Sequence, residues 1–102
     1  MKIETDGRTL TVSDITALGA VDSASFRYAL SAALPSGLKQ IDLDLSRASF
    51  VDCSGIGVLI GIRKAARLRN SNAIIRLINP THLLRRLMQL TRCGELFRIE
   101  RG

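Results

Sequence analysis

The chain has 102 residues, of which 46% are hydrophobic and 24% charged, and its formal net charge is +6. This length is typical of one domain, and the apolar content excludes a disordered chain. The longest apolar run, at 56–62, excludes a transmembrane helix, because a bilayer needs about 20 residues. Residues 1–20 lack the apolar stretch of a secretory signal. We therefore expect a single cytoplasmic domain over residues 1–102.

The net positive charge comes from the second half of the chain. Residues 1–51 hold five Lys or Arg and six Asp or Glu, whereas residues 52–102 hold ten against three. Such a distribution favours an acidic partner surface, either a protein or a polynucleotide. With one Tyr and no Trp, the chain has few side chains on which bases could stack, so nucleic acid is the weaker interpretation.

The sequence contains few residues of the types that usually carry out catalysis. His82 is the only histidine, and Cys53 and Cys93 are the only cysteines. Their spacing indicates neither zinc ligands nor a disulfide framework. Asp42 and Asp44 alternate in a predicted strand, and we expect them to make solvent or loop contacts at the strand end. We expect no enzyme activity, no metal and no cofactor, and we expect His82 on the surface.

The predicted elements alternate between strands and helices. Asp6-Gly7 is typical of a type I′ hairpin turn, Asp22 or Ser23 caps the first helix, and Thr81 caps the third. The predicted elements are strands 2–5 and 8–12 with a continuation at 15–18, a helix ending at 34, a strand at 41–45, a helix at 54–70, a strand at 73–78, a helix at 81–91 and a strand at 96–100. This order predicts an α/β fold with a mixed, mostly parallel sheet of about five strands and three helices.

The third predicted helix has one leucine-rich face and a glycine after it. Leu83, Leu87 and Leu90 recur at helical spacing. Gly94 is the predicted stop signal, since glycine commonly ends helices. The final strand then follows directly.

The second predicted helix begins in the segment FVDCSGIGVLIG, residues 50–61. Its glycines follow G-x-G-x-x-x-G, which differs from the dinucleotide-binding fingerprint. The helix has an apolar face that covers the sheet, formed by Val58, Leu59, Ile62, Ala65 and Ala66. A less buried stripe carries Ile56, Ile60, Arg63, Lys64 and Arg67. That stripe is either a solvated cationic face or a partner-docking surface with an apolar anchor and a basic rim.

The segments Asp44-Leu45-Ser46 and Phe50-Val51-Asp52-Cys53-Ser54-Gly55-Ile56-Gly57 resemble the signature D-L-S-x-x-x-F-[IV]-D-S-S-G-[LI]-G of STAS domains, specifically of bacterial anti-sigma factor antagonists. Three further segments resemble family segments. They are Asn79-Pro80, Leu90-Thr91 with Gly94 and Leu96-Phe97, and, more weakly, Gly19-Ala20-Val21-Asp22. The resemblance covers essentially the whole chain and implies the STAS fold.

The resemblance implies a transcription-regulating switch protein that binds an anti-sigma factor, which is also an ATP-dependent serine kinase. Phosphorylation of the first Ser of D-S-S-G prevents that binding, and the second Ser is expected to cap the helix. The residues that we expect at the partner interface are Asp22, Asp52, Cys53, Ser54, Gly55, Ile56, Ile60, Arg63, Lys64 and Arg67.

The sequence departs from the family pattern at the phosphoacceptor, where Cys53 stands in place of serine. Three outcomes compete. The protein binds its partner constitutively, or Ser54 serves as a displaced acceptor, or Cys53 is an oxidation-sensitive replacement. We favour constitutive binding. We expect no Cys53–Cys93 disulfide, because the predicted topology puts the two residues at opposite ends of the sheet.

A second departure is at the C-terminus, where the chain stops at Arg101-Gly102 without the helix that family members commonly add. An uncovered sheet face would favour a homodimer or a larger assembly. The main alternative function is therefore a STAS subunit of a larger assembly, such as a lipid-transport ABC complex. The alternative from another class is a basic nucleic-acid-binding module.

Overall fold

The fold is described by a computed structural model that covers residues 2–18, 23–34 and 37–100. The strands are Lys2–Asp6 (β1), Thr9–Ser13 (β2), Ala17–Leu18 (β3), Gln40–Asp44 (β4), Phe50–Val51 (β5), Ile74–Ile78 (β6) and Arg98–Glu100 (β7). The helices are Ser23–Ala33 (α1), Cys53–Arg69 (α2) and His82–Thr91 (α3), and a 3₁₀ turn spans Gly94–Leu96. No helix in these three stretches is both long and apolar enough to cross a membrane.

Five strands form the main sheet in the order β1-β2-β4-β6-β7. The β1–β2 pair is antiparallel, and every other pair in this sheet is parallel. β3 and β5 form a separate parallel pair. The predicted α/β fold, a mixed and mostly parallel five-stranded sheet with three helices, is confirmed.

All three helices lie on one face of the main sheet. The crossovers from β2 to β4, from β4 to β6 and from β6 to β7 each move one strand in the same direction. Because parallel crossovers are right-handed, this places α1, α2 and α3 on the same side. On that side the side chains of the central strands are at most 2% exposed: Leu10, Val12, Ile41, Leu43, Ile75 and Leu77. We call the opposite side the open sheet face.

The first hairpin turns one residue later than predicted. Asp6 pairs with Thr9, so the two turn residues are Gly7 and Arg8 rather than Asp6 and Gly7. Gly7 has φ 61°, and it is the only turn residue with a positive φ. A glycine at the first central position is the pattern of a type II′ turn. The type I′ prediction was therefore wrong.

The predicted continuation of β2 through residues 15–18 was also wrong. Asp14 has φ 57°, and this left-handed residue ends β2 and turns the chain away from the main sheet. Ala17–Leu18 then pairs with Phe50–Val51 instead. This pairing brings β3 beside the strand that leads into α2.

The leucine face predicted for α3 is the outer flank of the helix. Leu84 and Met88 are buried in the core. Leu83 and Leu90 are 53% and 77% exposed, and Leu87 is half-buried at the margin of the core. The helical period was correct, but it did not indicate which of two apolar flanks faces the sheet.

α3 ends at Thr91, as predicted, but its stop signal is not Gly94. Arg92 adopts the left-handed conformation with φ 57°. The Cys93 N–H donates to the Met88 carbonyl at 3.2 Å, which is the closing bond of a Schellman motif. Gly94 begins the 3₁₀ turn instead, so the last strand starts at Arg98 rather than at 96. The Cys93 thiol is buried and free. The Cys53 side chain is not among the described ones, so the absence of a Cys53–Cys93 disulfide stays a prediction.

Because Arg92 carries a Cβ in a conformation that glycine adopts freely, we expect Arg92→Gly to be more stable than Arg92→Ala. The difference in the free energy of unfolding should be about 1 kcal/mol, measured by urea denaturation. Both variants lose the same charge and the same long side chain, so the comparison isolates the backbone. Equal stability of the two variants would contradict the described end of α3.

A candidate docking surface on helix α2

The N-terminus of α2 is fixed by Asp52. This residue is extended, with φ −128° and ψ −175°, and its Oδ1 accepts a hydrogen bond from the Gly55 N–H at 3.1 Å. The Ile56 N–H lies 3.4 Å from the Asp52 carbonyl oxygen. Asp52 is therefore the N-cap, and the expectation that Ser54 caps the helix was wrong. Ser54 is exposed in the first turn.

The apolar anchor predicted at Ile56 is not available on the surface. Ile56 is 5% exposed and belongs to the hydrophobic core, and Gly55 is buried with it. Ile60 is half-buried and packs at the core margin. The buried side of α2 includes the predicted Val58, Leu59, Ile62 and Ala66, with Ala65 half-buried. The predicted core face was right. The predicted less buried stripe was wrong at Ile56, which lies on the core side of the helix.

The exposed side of α2 carries Ser54, Gly57, Lys64 and Leu68, which we call the outer face of α2. These residues are three, seven and four positions apart, so they line one side of the helix. Leu68 is 89% exposed. Sequence reasoning missed Gly57 and Leu68. The sequence did contain a signal for these two residues. They lie about 180° around the helix from the centre of the predicted core face, and that side of the helix must face solvent.

Gly57 leaves a gap on this outer face. A Cβ built on it meets no heavy atom within 4 Å, and its φ is not in the left-handed region. A glycine within a helix costs about 0.5–1 kcal/mol relative to alanine. The chain's own packing therefore does not require glycine at this position.

The three cations predicted as a rim are placed unequally. Lys64 and Arg67 are exposed, whereas Arg63 is half-buried and its Nε donates to the Leu96 carbonyl at 3.1 Å. Arg67 Nη1 lies 3.5 Å from the Ala73 carbonyl oxygen. Among the described residues none of the three pairs with a carboxylate. Because carbonyls do not neutralise a cation, this side of α2 keeps its positive charge.

Two predicted interface residues cannot be placed in this surface. Asp22 lies outside the described residues. Cys53 is the first residue of α2, and its side chain also lies outside the description. The predicted residues that the structure places on or beside the exposed side of α2 are therefore Asp52, Ser54, Lys64 and Arg67, with Ile60 at the core margin.

The remaining polar candidates are structural. Asp42 Oδ1 lies 3.4 Å from Arg76 Nε and accepts a hydrogen bond from Gln40 at 2.8 Å. Arg76 also pairs with Glu100 at 3.2 Å. The expectation of solvent or loop contacts holds for Asp44, which accepts from the Ser46 N–H, and was wrong for Asp42. His82 is exposed, as predicted.

Solved structures with the same architecture are similar to this chain over nearly its whole length. The anti-sigma factor antagonist SpoIIAA in its unphosphorylated form is 22% identical, with 96% of this chain and 85% of that chain covered and a TM-score of 0.78. The phosphorylated form of SpoIIAA, from Bacillus, gives a TM-score of 0.72. An anti-sigma-factor antagonist (STAS) domain protein from Planctomyces limnophilus is 15% identical, with 96% and 86% covered and a TM-score of 0.80.

A longer protein contains a similar region. The murine anion transporter Slc26a9 is 19% identical over 89% of this chain and 15% of its own, with a TM-score of 0.69. These similarities define the fold as the STAS fold. The family model described as "Mlab, STAS domain" matches residues 1–98. The chain belongs to the STAS domain family.

We expect Asp52→Ala to lower the free energy of unfolding by about 0.5–2 kcal/mol, because it removes the side-chain acceptor of the Gly55 N–H and leaves it only the main-chain carbonyl of residue 52. Asp52→Asn is the matched control, since asparagine caps helices about as well and removes the same charge. Urea denaturation followed by circular dichroism measures both. An Asn variant as unstable as the Ala variant would show that charge, not capping, is the contribution of Asp52.

Proposed function

We propose that this chain is an anti-sigma factor antagonist-like partner-switching protein of the cytoplasm. It binds an anti-sigma factor/serine kinase through the outer face of α2 and thereby regulates transcription, without catalysing a reaction itself. The observation that carries this proposal is the unfilled, exposed Gly57 on α2, five residues after the Asp52 cap within the family's signature motif. The similarity in fold to SpoIIAA, described as an anti-sigma factor antagonist, supports it.

Docking at this surface follows from shape and charge. Gly57 leaves the partner free to approach the helix backbone, and the half-buried Ile60 offers apolar area beside it. Lys64 projects beyond them. Such a cation accelerates encounter with an acidic surface and adds less to the final affinity than the buried apolar contact does. The expected partner therefore presents an apolar contact bordered by carboxylates.

The residue at the family's phosphoacceptor position decides how the switch works. Cys53 cannot accept a phosphoryl group from a serine kinase, so we propose that the partner is bound constitutively. Ser54 is exposed and is the alternative acceptor. A phosphoryl group there would add about −1.5 to −2 charge beside the Asp52 carboxylate, and like-charge repulsion would oppose docking of an acidic partner.

A second candidate is a constitutive STAS subunit of a larger assembly, such as a lipid-transport ABC complex. The same outer face would make a permanent contact, which suits the cysteine at position 53. The description of the matching family model, "Mlab, STAS domain", favours this candidate. The transporter Slc26a9, in which the matched region is 15% of the chain, shows that this fold also occurs as part of a longer protein.

The role of the outer face of α2 in partner binding can be tested by enlarging the side chain at position 57. We expect Gly57→Leu to weaken partner binding at least tenfold, about 1.4 kcal/mol, because its side chain projects into the contact. Gly57→Ala is the control, which should be more stable by about 0.5–1 kcal/mol and bind far better than Gly57→Leu. Partner capture from a lysate of the source organism, with identification by mass spectrometry, is the measurement.

The captured protein separates the two candidates. An ATP-binding protein of the serine kinase type supports the switch, and an ABC ATPase supports the larger assembly. Equal capture by Gly57→Leu and the native chain, with both folded by circular dichroism, would show that the outer face of α2 is not the interface.

The phosphoacceptor is tested by exchanging residue 53. With the captured kinase and ATP, we expect Cys53→Ser to gain one phosphoryl group by intact mass while the native chain stays unmodified. A native chain phosphorylated at Ser54 would contradict constitutive binding. If Cys53→Ser and the native chain have the same mass after incubation and bind the partner equally, the proposed phosphorylation switch is wrong.

A further inference from the structure

The three helices carry charge of one sign only. None of α1, α2 or α3 contains an Asp or Glu, and together they contain seven cations. The cations are Arg27, Arg63, Lys64, Arg67, Arg69, Arg85 and Arg86. Since the helices share one side of the sheet, they contribute only positive charge to this side of the molecule, and the described carboxylates there are Asp52 before α2 and Glu95 after α3.

Each helix also exposes at least one large apolar side chain on the surface farthest from the sheet. Tyr28 of α1 is 79% exposed, Leu68 of α2 is 89% exposed, and Leu90 of α3 is 77% exposed. Each lies two residues after a buried one, which places it about 200° around its helix from the core. Arg86 occupies the same outward position on α3, two residues from each of Leu84 and Met88, which are buried. We call this side the outer helix surface.

The open sheet face has the opposite balance. Its strand positions carry five carboxylates and three cations: Glu4, Asp6, Asp42, Asp44, Glu100, Lys2, Arg76 and Arg98. Ion pairs already join Lys2 to Glu4, and Arg76 to Asp42 and Glu100. The molecule therefore has a positive helix side and a mildly negative sheet side, and it orients in the field of a charged surface.

We infer that the outer helix surface docks on an anionic lipid bilayer. Exposed cations attract the lipid phosphates, and Tyr28, Leu68 and Leu90 insert among the headgroups. Stable attachment to a bilayer needs two such signals acting together. Arginine suits this role because its guanidinium binds phosphate in a bidentate manner.

The distribution of the apolar side chains favours a bilayer over a protein or a nucleic acid. The exposed apolar groups lie on three separate helices, whereas a protein interface concentrates its affinity in a clustered, desolvated centre. A bilayer accepts dispersed insertions. Duplex DNA offers no apolar medium for Leu68 and Leu90, and the chain has only four aromatic residues to stack on bases.

The fluorescence of Tyr28 can be used to measure this docking. It is the only tyrosine in the chain, and there is no tryptophan, so intrinsic fluorescence reports on this position with little interference. We expect vesicles of phosphatidylglycerol to protect Tyr28 from acrylamide quenching, with an effect that weakens as salt is added. Vesicles of phosphatidylcholine should leave the quenching unchanged.

Two arginines on opposite sides of the molecule provide the matched variants. Arg86 is exposed on the outer helix surface, and Arg98 is exposed on the open sheet face. We expect Arg86→Ala to weaken vesicle binding about fivefold, corresponding to about 1 kcal/mol per basic residue. Arg98→Ala removes the same charge and should change binding less than twofold. Leu90→Ser should weaken binding without altering the fold, because Leu90 is largely exposed.

Leu68 belongs both to the outer helix surface and to the outer face of α2, but Arg86 and Leu90 lie on α3, so variants at these two positions test bilayer docking separately from the proposed function. Equal loss of binding in Arg86→Ala and Arg98→Ala would show attraction by net charge alone and would overturn the inference. Failure of phosphatidylglycerol vesicles to protect Tyr28 at low salt would also overturn it. Binding to duplex DNA with a steep salt dependence, together with no vesicle binding, would assign the surface to nucleic acid.

Discussion

The structure depends on one constraint, the right-handedness of three successive parallel crossovers. Each crossover moves one strand farther along the sheet, so α1, α2 and α3 must all cover the same face. The core is consequently one-sided, and the strands read as alternation between buried apolar and half-buried polar residues. The charge asymmetry of the sequence becomes an asymmetry between two sides of the molecule. Because the helices themselves lack acidic residues, their side of the molecule carries an excess of positive charge.

Within that constraint, the Asp52 cap determines what α2 presents. The cap fixes where the helix begins, and the buried Ile56 and Leu59 fix its rotation about its axis. One residue along a helix is a rotation of about 100°, so the difference between Ile56 and Gly57 is the difference between core and surface. The family motif therefore combines two roles. Asp52, Gly55 and Ile56 build the helix start, and Ser54 and Gly57 remain available to a partner.

The sequence was sufficient to predict the number and type of the main elements, because period-2 and period-3.6 patterns differ strongly. It was not sufficient where one local conformation decided the outcome. Asp14 and Arg92 adopt left-handed conformations that their residue types do not predict. Asp14 ends β2 before the predicted continuation at 15–18, and Arg92 replaces Gly94 as the residue that ends α3. α3 has two apolar flanks, Leu84–Met88 and Leu83–Leu90, and only tertiary packing chooses between them. The same ambiguity on α2 misplaced Ile56.

The claim that the helix side of the molecule meets the partner is tested most directly by lysine acylation footprinting. The chain has three lysines, with Lys64 on the outer face of α2, Lys2 on β1 and Lys39 before β4. Lys2 donates a hydrogen bond to Glu4 that raises its pKa and slows acylation in both states, so Lys39 is the reference. Binding of the captured partner should protect Lys64 and leave Lys39 and Lys2 unchanged. Protection of Lys2 or Lys39 with Lys64 still reactive would contradict the account.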